Sequence, residues 1–529
     1  MNAIAPPRPT WTTGTTEAIR TGTWRAAIPV YAHLPSPCRA ACPVDGRIAD
    51  WIAMASAGDL FGAWTTLTEN NPFPAVAGRV CHRPCEGACN RAAYDEPLAV
   101  RALERHVGDA ALAEGWRFPS APLGRQRIAV IGGGPSGLSA AYQLRRRGYA
   151  VTVFEAAASL GGLLRYGIPP YRLPRAVLDA EIARILALGV EVRTATPLAG
   201  EDQLQRLRVE FDAVYLAPGA RRQKRLAQLD YREPRVVDGA AYLAAANDGA
   251  APALGRRIAV IGGGSAAMDV ARSARRAGHE VRVIALEDEA RMPAQREEVL
   301  QAREEGVVLF DGTHLASVSA NGTLELKCVR VRMKGVNPLD FEAVADSDFV
   351  LEADAIVPAI GQDPDLAQFG SLLERAGSLL GTDERQATSL SGVFAGGDVA
   401  TNARFVTHAI GMGRDAAAEI DRWLMGDVSF SAVPEPAVPA SAINTYYHPR
   451  APRAQADDGL SGEQALAEGA RCFSCGRCTF CDNCLRYCPD MAVRRVVGGY
   501  AIAAEYCKGC GLCVQECPTG SLVMREEWR

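Results

Sequence analysis

The segment RIAVIGGGPSGLSAAYQLRRRG at 127–148 recurs as RIAVIGGGSAAMDVARSARRAG at 257–278, with strand, glycine turn and helix at matching offsets. A Rossmann-type strand–turn–helix unit therefore occurs twice, and no other feature constrains the fold as strongly. In the first copy an apolar strand over 128–131 runs into Gly132, Gly134 and Gly137. The first glycine makes the tight turn and the second lets the backbone approach a pyrophosphate. The third lets the helix pack on the strand, with the helix N-terminus facing the negative charge. The next strand, 151–155, ends in Glu155, an acid placed to bind ribose hydroxyls. The second copy has Gly262, Gly264 and Ala267, and alanine is tolerated at the third position. Its following strand, 281–285, ends in Ala285 where the first copy has Glu155; Leu286 and Glu287 come next. An acid here favours a free 2′-hydroxyl and an arginine a 2′-phosphate, so Glu287 favours NADH over NADPH, while Arg291 weighs the other way. The bland alternatives are a structural turn for the first copy and an empty unit for the second.

The chain has 529 residues, enough for three to five units at about 100–200 residues each. Residues 125–425 alternate apolar strands with amphipathic helices, which is the α/β pattern. Residues 1–37 read as an extended arm that packs on something larger. Helical stretches at 48–57 and 98–114 surround a first group of cysteines. A linker from 427 to 460 carries five prolines between Pro434 and Pro452. The predicted division is an arm with an α-helical domain at 1–124, a first nucleotide-binding half at 125–240 and a second nucleotide domain at 241–389. The first domain resumes at 390–426, a linker region runs over 427–465, and a small α+β unit occupies 466–529. The 57 Lys+Arg and 61 Asp+Glu give a formal charge of −4, which offers no footprint for nucleic acid. No apolar run reaches the ~18 residues of a membrane span. The opening MNAIAPPRPTWTTGTTEAIR has no apolar h-region, so a cytoplasmic location is expected.

Fifteen of the 16 cysteines fall within 38–89 and 472–517; only Cys328 stands alone, in a predicted strand over 324–333. Clustered thiols in a long chain without an export signal point to metal ligands rather than disulfides. Two runs of Cys-x2-Cys-x2-Cys-x3-Cys-Pro occur: Cys478, Cys481, Cys484, Cys488 and then Cys507, Cys510, Cys513, Cys517. This is the bacterial ferredoxin spacing, in which the fourth Cys of each run ligates the other cluster. One [4Fe–4S] cluster would take Cys478, Cys481, Cys484 and Cys517. The other would take Cys507, Cys510, Cys513 and Cys488.

Two strands ending in glycine, at 211–219 and 353–361, and a strand ending in Gly396-Gly397-Asp398 complete the landmarks. Here the sequence resembles the two-dinucleotide-binding-domain flavoproteins. The resemblance implies FAD in the first site, NAD(P)H in the second, glycine-ended crossovers such as Gly361, and a Gly397-Asp398 contact to the flavin's ribityl and phosphate region. The N-terminal group, Cys38-x3-Cys42-Pro and Gly78-Arg-Val-Cys81-x3-Cys85-Glu-Gly-x-Cys89, is similar to the iron–sulfur domain of the glutamate synthase small subunit. Asn71-Pro-Phe-Pro74, residues 100–104, Gly161-Gly162-Leu-Leu-Arg-Tyr-Gly-Ile-Pro169 and Met292-Pro293-Ala294 extend it over about 38–425. It implies a cluster on Cys42, Cys81, Cys85 and Glu104. The second cluster of that family needs an upstream Cys-x2-Cys that residues 31–37, YAHLPSP, do not supply. Either Cys38 and Cys89 are spare thiols, or they join Cys472 and Cys475, which the ferredoxin runs do not need. A partner's swapped tail could also supply that pair. Three clusters are expected, and four if the last set assembles.

The expected fold is therefore α/β, with two Rossmann-type domains between a helical iron–sulfur domain and a dicluster ferredoxin domain. The expected activity is FAD-dependent NAD(P)H oxidoreduction, in which the cofactors carry the redox chemistry and no side chain is a catalytic acid or base. The resemblance of the fused ferredoxin unit to subunits of 2-oxoacid:ferredoxin oxidoreductases implies catalytic subunits of such a complex as partners, with NAD⁺ as electron acceptor. Two alternatives stand beside it: a glutamate synthase small-subunit-like NADPH oxidiser, and a non-catalytic electron-transfer subunit with an empty second site. His82 is expected to tune a cluster or to lie at the surface, and His106 and His408 have no evident partner.

Overall fold

In a computed structural model, which describes residues 20–32, 34–336, 339–427, 435–455 and 459–527, each copy of the repeat builds its own parallel sheet. The strand Arg127–Ile131 is the centre of five, with Ala150–Phe154 and Glu191–Arg193 on one side and Ala213–Leu216 and Val393–Ala395 on the other. The strand Arg257–Ile261 lies in a sheet of four, between Ala355–Pro358 and Glu280–Ile284, with Val308–Phe310 beyond. Both central strands are buried from their second residue onward. Parallel strands covered on both faces must be apolar throughout, as RIAVI is. An antiparallel sheet formed by Thr313–Asn321, Thr323–Val336, Leu339–Ala343 and Phe349–Ala353 extends the second unit and buries Cys328 among Leu315, Leu324 and Leu326.

The chain crosses between the two units twice. The crossings pair as short antiparallel strands, Arg222–Gln223 with Gln362–Asp363. The core beneath the first sheet takes Leu366, Phe369, Leu373 and Leu380 as well as Val393 and Ala395. Leu366, Phe369, Leu373 and Leu380 therefore pack with the first unit although they precede residue 390.

Helices Ile48–Ser56, Leu60–Thr68, Pro74–Val80 and Val100–Ala113 form the N-terminal unit. Trp51, Trp64, Phe73 and Leu103 belong to the same core as Ile128, Leu138 and Ile410 of the first nucleotide unit. One continuous core joins the two.

Both the arm and the linker pack against the rest of the chain. Residues 1–19 of the arm, and 428–434 and 456–458 of the linker, lie outside the described residues. Of the remainder, Ala27–Tyr31 pairs antiparallel with Leu522–Glu526, so the arm supplies a strand to the C-terminal unit. Val438 and Ile443 are buried against Phe473, and the helix Gly462–Ala470 packs on Ile48–Ser56. Apolar residues spaced among the prolines explain this: a proline-rich segment that carries Val438 and Ile443 has surface to bury. No helix among the described residues is long and apolar enough to cross a membrane.

Candidate functional site

At the first nucleotide turn, Gly132 has φ +107 and a Cβ there would overlap the Ala217 carbonyl. Gly137 meets Gly132 so closely that any side chain would strike its carbonyl oxygen. Gly134 caps the helix Pro135–Arg146, leaving that N-terminus open for an anion. A second backbone approach comes from Gly162, whose Cβ would lie 2.9 Å from the Gly134 Cα, while Gly161 N–H donates to Gly133 O at 2.8 Å. Glu155 accepts hydrogen bonds from Gly133 N–H and Ala157 N–H, each at 2.7 Å. The carboxylate is thereby held over the turn, with lone pairs left for hydroxyls. Gly397, at φ +72, lies against Ser136 of that helix. Asp398 follows it; burial pushes its carboxyl above the usual range, opposed by Arg404 with Nη1 at 3.8 Å.

The second turn repeats this geometry with one displacement. Gly262 has φ +134, Gly264 caps Ser265–Arg276 with open space around it, and Ala267 is buried against the strand. Ala285 holds no acid over the turn. Glu287, two residues on, reaches it instead: its Oε2 lies 2.8 Å from where a Gly263 Cβ would stand, as Glu155 Oε2 lies 3.1 Å from the same point on Gly133. Arg291 is turned away, bonding Met333 O at 3.0 Å and facing Asp288 at 3.6 Å. Gly361, φ +97, sits at the crossing, where its carbonyl accepts from Lys224 N–H.

Three groups of four cysteines each line a cavity. Cys478, Cys481, Cys484 and Cys517 line a cavity of about 280 Å³. A neighbouring cavity of about 320 Å³ is lined by Cys488, Cys507, Cys510 and Cys513. Cys38, Cys89, Cys472 and Cys475 line one of about 410 Å³. The remaining set depends on a helix crossing. Gly78 on Pro74–Val80 lies against the Arg105 backbone, and Gly108 on Val100–Ala113 against Ala75. Without side chains at the crossing, Glu104 reaches the loop that carries Cys81 and Cys85. Burial pushes Cys81 up to about 12 and Glu104 up to about 8, the latter opposed by the Asn71 amide at 2.8 Å. Burial raises Cys42 and Cys85 as well, and Glu104 adds to the rise of all three thiols. Donors so costly to ionise alone fit a group that compensates their charge.

All 16 cysteines are free of disulfides. Among the described residues, no three His, Cys, Asp or Glu side chains converge on a single ion position. The thiols instead ring the walls of cavities.

Several contributors escaped the sequence reading. His82 stacks on Phe405 with centroids 3.9 Å apart, His408 joins them at 5.6 Å, and Thr407 Oγ1 lies 3.5 Å from His82 Nδ1. His408 thus has partners, and His106 Nδ1 lies 3.2 Å from Leu460 O. Tyr31 places its hydroxyl 3.2 Å from Cys484 Sγ, a contact that strand pairing between the chain's two ends creates. Arg172 bridges the two nucleotide units through Asp269 and Glu298, each at 2.6 Å. No local pattern announces any of these, because each partner comes from a distant segment.

Two nucleotide turns on parallel sheets, joined to cysteine-lined cavities, define a pyridine-nucleotide flavoprotein with iron–sulfur domains. Residues 126–413 match the pyridine nucleotide-disulphide oxidoreductase family, and the chain belongs to it. Residues 32–116 match dihydropyrimidine dehydrogenase domain II, 4Fe-4S cluster, and residues 500–523 a 4Fe-4S binding domain. The chain is 37% identical over 423 residues to the NADP(+)-dependent formate dehydrogenase subunit beta of Moorella thermoacetica, covering 74% of this chain and 60% of that one. It is 34% identical over 440 residues to the glutamate synthase [NADPH] small chain of Mycobacterium tuberculosis, covering 77% and 88%. Against the NADPH-Fe(3+) oxidoreductase subunit beta of Geobacter sulfurreducens the identity is 33% over 429 residues, covering 74% and 64%. The matched region thus spans less than two thirds of the formate dehydrogenase and Fe(3+) oxidoreductase subunits.

Proposed function

We propose that the chain is the nicotinamide-facing subunit of a larger redox complex and delivers electrons from a 2-oxoacid oxidoreductase-type partner to NAD⁺. The observation that carries this reading is the single core shared by the first nucleotide unit and the helical unit, with Cys38, Cys42, Cys85, Cys89 and Cys472 in or against it, in a chain that also carries the second nucleotide turn and two further cysteine-lined cavities. When bound, FAD exchanges a hydride with nicotinamide and single electrons with iron–sulfur clusters, chemistry the cofactors supply themselves. The chain's residues hold and insulate. Gly132, Gly134, Gly137 and Gly162 make room for the FAD pyrophosphate, and Glu155 takes ribose hydroxyls. Gly397 and Asp398 border the flavin side of the same helix. In the second unit Gly262 and Gly264 receive the nicotinamide dinucleotide, and Glu287 selects a free 2′-hydroxyl by repelling a phosphate. Cys42, Cys81, Cys85 and Glu104 hold one cluster, and the two ferredoxin sets hold two more. Cys481 and Cys510 are exposed, which puts the two terminal sets within reach of a docking protein.

The 2-oxoacid assignment rests on the fused dicluster unit. A glutamate synthase-type role is the second reading, favoured by the 88% coverage of that small chain. The relatives named above all carry NADP(H) in their names; the Glu287 placement is what favours NAD(H) here.

The test is an anaerobic titration of the full chain with NADH, and separately NADPH, followed by flavin absorbance. Bleaching by near-stoichiometric NADH is expected. Bleaching by NADPH alone overturns the NAD assignment. Bleaching by neither, with a flavin that dithionite reduces, overturns the nicotinamide role. Adding a thiamine-dependent 2-oxoacid oxidoreductase, its 2-oxoacid and NAD⁺ should yield NADH; no NADH, with the titration positive, overturns the partner assignment.

A further inference from the structure

We infer that Cys38, Cys89, Cys472 and Cys475 hold an iron–sulfur cluster built across the seam between the N-terminal helical unit and the C-terminal unit of the same chain. All four line one cavity, walled by Ile48, Ile52, Leu98, Val100 and Phe473. The sulfurs meet donors of the kind that stabilise cluster thiolates. Asn90 Nδ2–H donates to Cys475 Sγ at 3.5 Å, Ser474 N–H to Cys472 Sγ at 3.4 Å, and Ser36 Oγ lies 3.1 Å from Cys38 Sγ.

Protein contacts cross the seam. Arg91, only 2% exposed, bonds Asp95 on its own side and the carbonyls of Pro449 and Arg471 on the other. Glu468 accepts from Ala99 N–H and Ala454 N–H, each at 2.8 Å. Val438 N–H donates to Pro35 O, and Gly476 packs so tightly on the Leu34 carbonyl that a Cβ there would overlap it. The fold therefore brings the four thiols together by itself, and no second copy is needed to supply Cys472 and Cys475. Fifteen cysteines and Glu104 then divide into four sets of four, with Cys328 left over.

Chain order places this set between the others. Cys85 belongs to the Cys42 set and Cys89 to this one; Cys475 belongs here and Cys478 to a ferredoxin set. At about 3.3–3.6 Å per residue, Cα separations across these two links cannot exceed about 14 Å and about 11 Å. The seam cluster would pass one electron onward for each one received, with no net redox change, and would join the terminal pair to the helical unit.

This inference rests on the chain being an iron–sulfur protein and is independent of which nicotinamide or partner it uses. The test is iron and acid-labile sulfide per FAD in the anaerobically purified full chain. The wild type should carry about sixteen irons. Cys38→Ala and Cys475→Ala, changed at opposite ends of the chain, should each lose about four irons, and the double variant no more than either alone. Cys328→Ala should lose none. About twelve irons in the wild type, unchanged iron in the two single variants, or losses that add in the double variant would each overturn the proposal. The wild-type count decides even if a variant fails to fold. Flavin bleaching by nicotinamide is read separately, in the wild type and in Cys328→Ala, so failure here stays separate from failure of the proposed function.

Discussion

Gly411 and Gly413 stand two residues apart on the helix Val406–Met425, and each is pressed against the backbone beside a different candidate cofactor site. A Cβ on Gly411 would overlap the carbonyl of Pro43, next to Cys42; one on Gly413 would overlap the carbonyl of Ser136, in the helix after the first nucleotide turn. At 100° per residue the two positions face nearly opposite ways. This helix therefore fixes the spacing between the proposed FAD site and the Cys42 set.

Adding a methyl at either position should separate those sites. Gly411→Ala should lower stability by about 1–3 kcal/mol through overpacking and reduce iron content before FAD content. Gly413→Ala should do the reverse. Iron-to-FAD ratios and thermal melts of the two purified variants check this; identical losses would argue against the helix as a spacer.

Glu287 occupies in the second unit the place that Glu155 occupies in the first, over the central glycine of the turn. Glu287→Gln removes the charge that would repel a 2′-phosphate. The ratio of kcat/KM for NADPH to that for NADH should rise about tenfold, equivalent to about 1.4 kcal/mol. An unchanged ratio would remove Glu287 from the nucleotide site.

Arg172 carries two buried carboxylates, Asp269 and Glu298, across the junction between the nucleotide units. Replacing it with Met leaves both unpaired and should cost about 3–5 kcal/mol. Burial raises Asp269 from 3.8 to about 6, with the Glu298 charge adding to the rise and Arg172 opposing it. The folded state then holds a proton that the unfolded chain has released, so this contribution is fully present below about pH 4 and is lost as pH rises to about 6. Denaturant unfolding of wild type and Asp269→Asn across pH 4–7 should show their difference falling over that window and level above it.

Glu181 accepts from the N–H groups of Ala75 and Val76, both at 3.0 Å, and so caps the helix Pro74–Val80 from the neighbouring unit. That helix leads directly into Cys81. Glu181→Gln turns an amide N–H toward a backbone donor and should destabilise by about 1–3 kcal/mol. Hydrogen exchange should quicken at residues 74–80 first; uniform quickening would assign Glu181 a general packing role.

Iron removal should loosen the C-terminal unit more than the sheets. Its small core consists of Val493, Leu522 and the cysteines Cys484, Cys513 and Cys517. A core that depends on its metal ligands loses order with the metal. Chelation under reducing conditions should raise hydrogen exchange across 478–517 and leave the strands at 127–131 and 257–261 protected.

The sequence by itself determined what is local. The repeated glycine turns and the ferredoxin runs appear in contiguous residues because a turn around a pyrophosphate, or a loop around a cubane, needs short fixed spacings. The α/β class, both parallel sheets and the ferredoxin groupings were therefore legible in order of residues. Less legible were relationships between distant segments. Glu287 is named by its order after Ala285, but only the fold shows that its carboxylate stands over Gly263. The length of the linker allows it to fold back, but only packing shows Val438 and Ile443 buried against Phe473. His408 lacked a partner until His82 and Phe405 were folded onto it. The set of Cys38, Cys89, Cys472 and Cys475 could be guessed by counting, but only packing across more than three hundred residues of intervening chain could gather it. Tertiary structure decides such contacts because they follow from how buried surfaces fit together, and no local spacing encodes that.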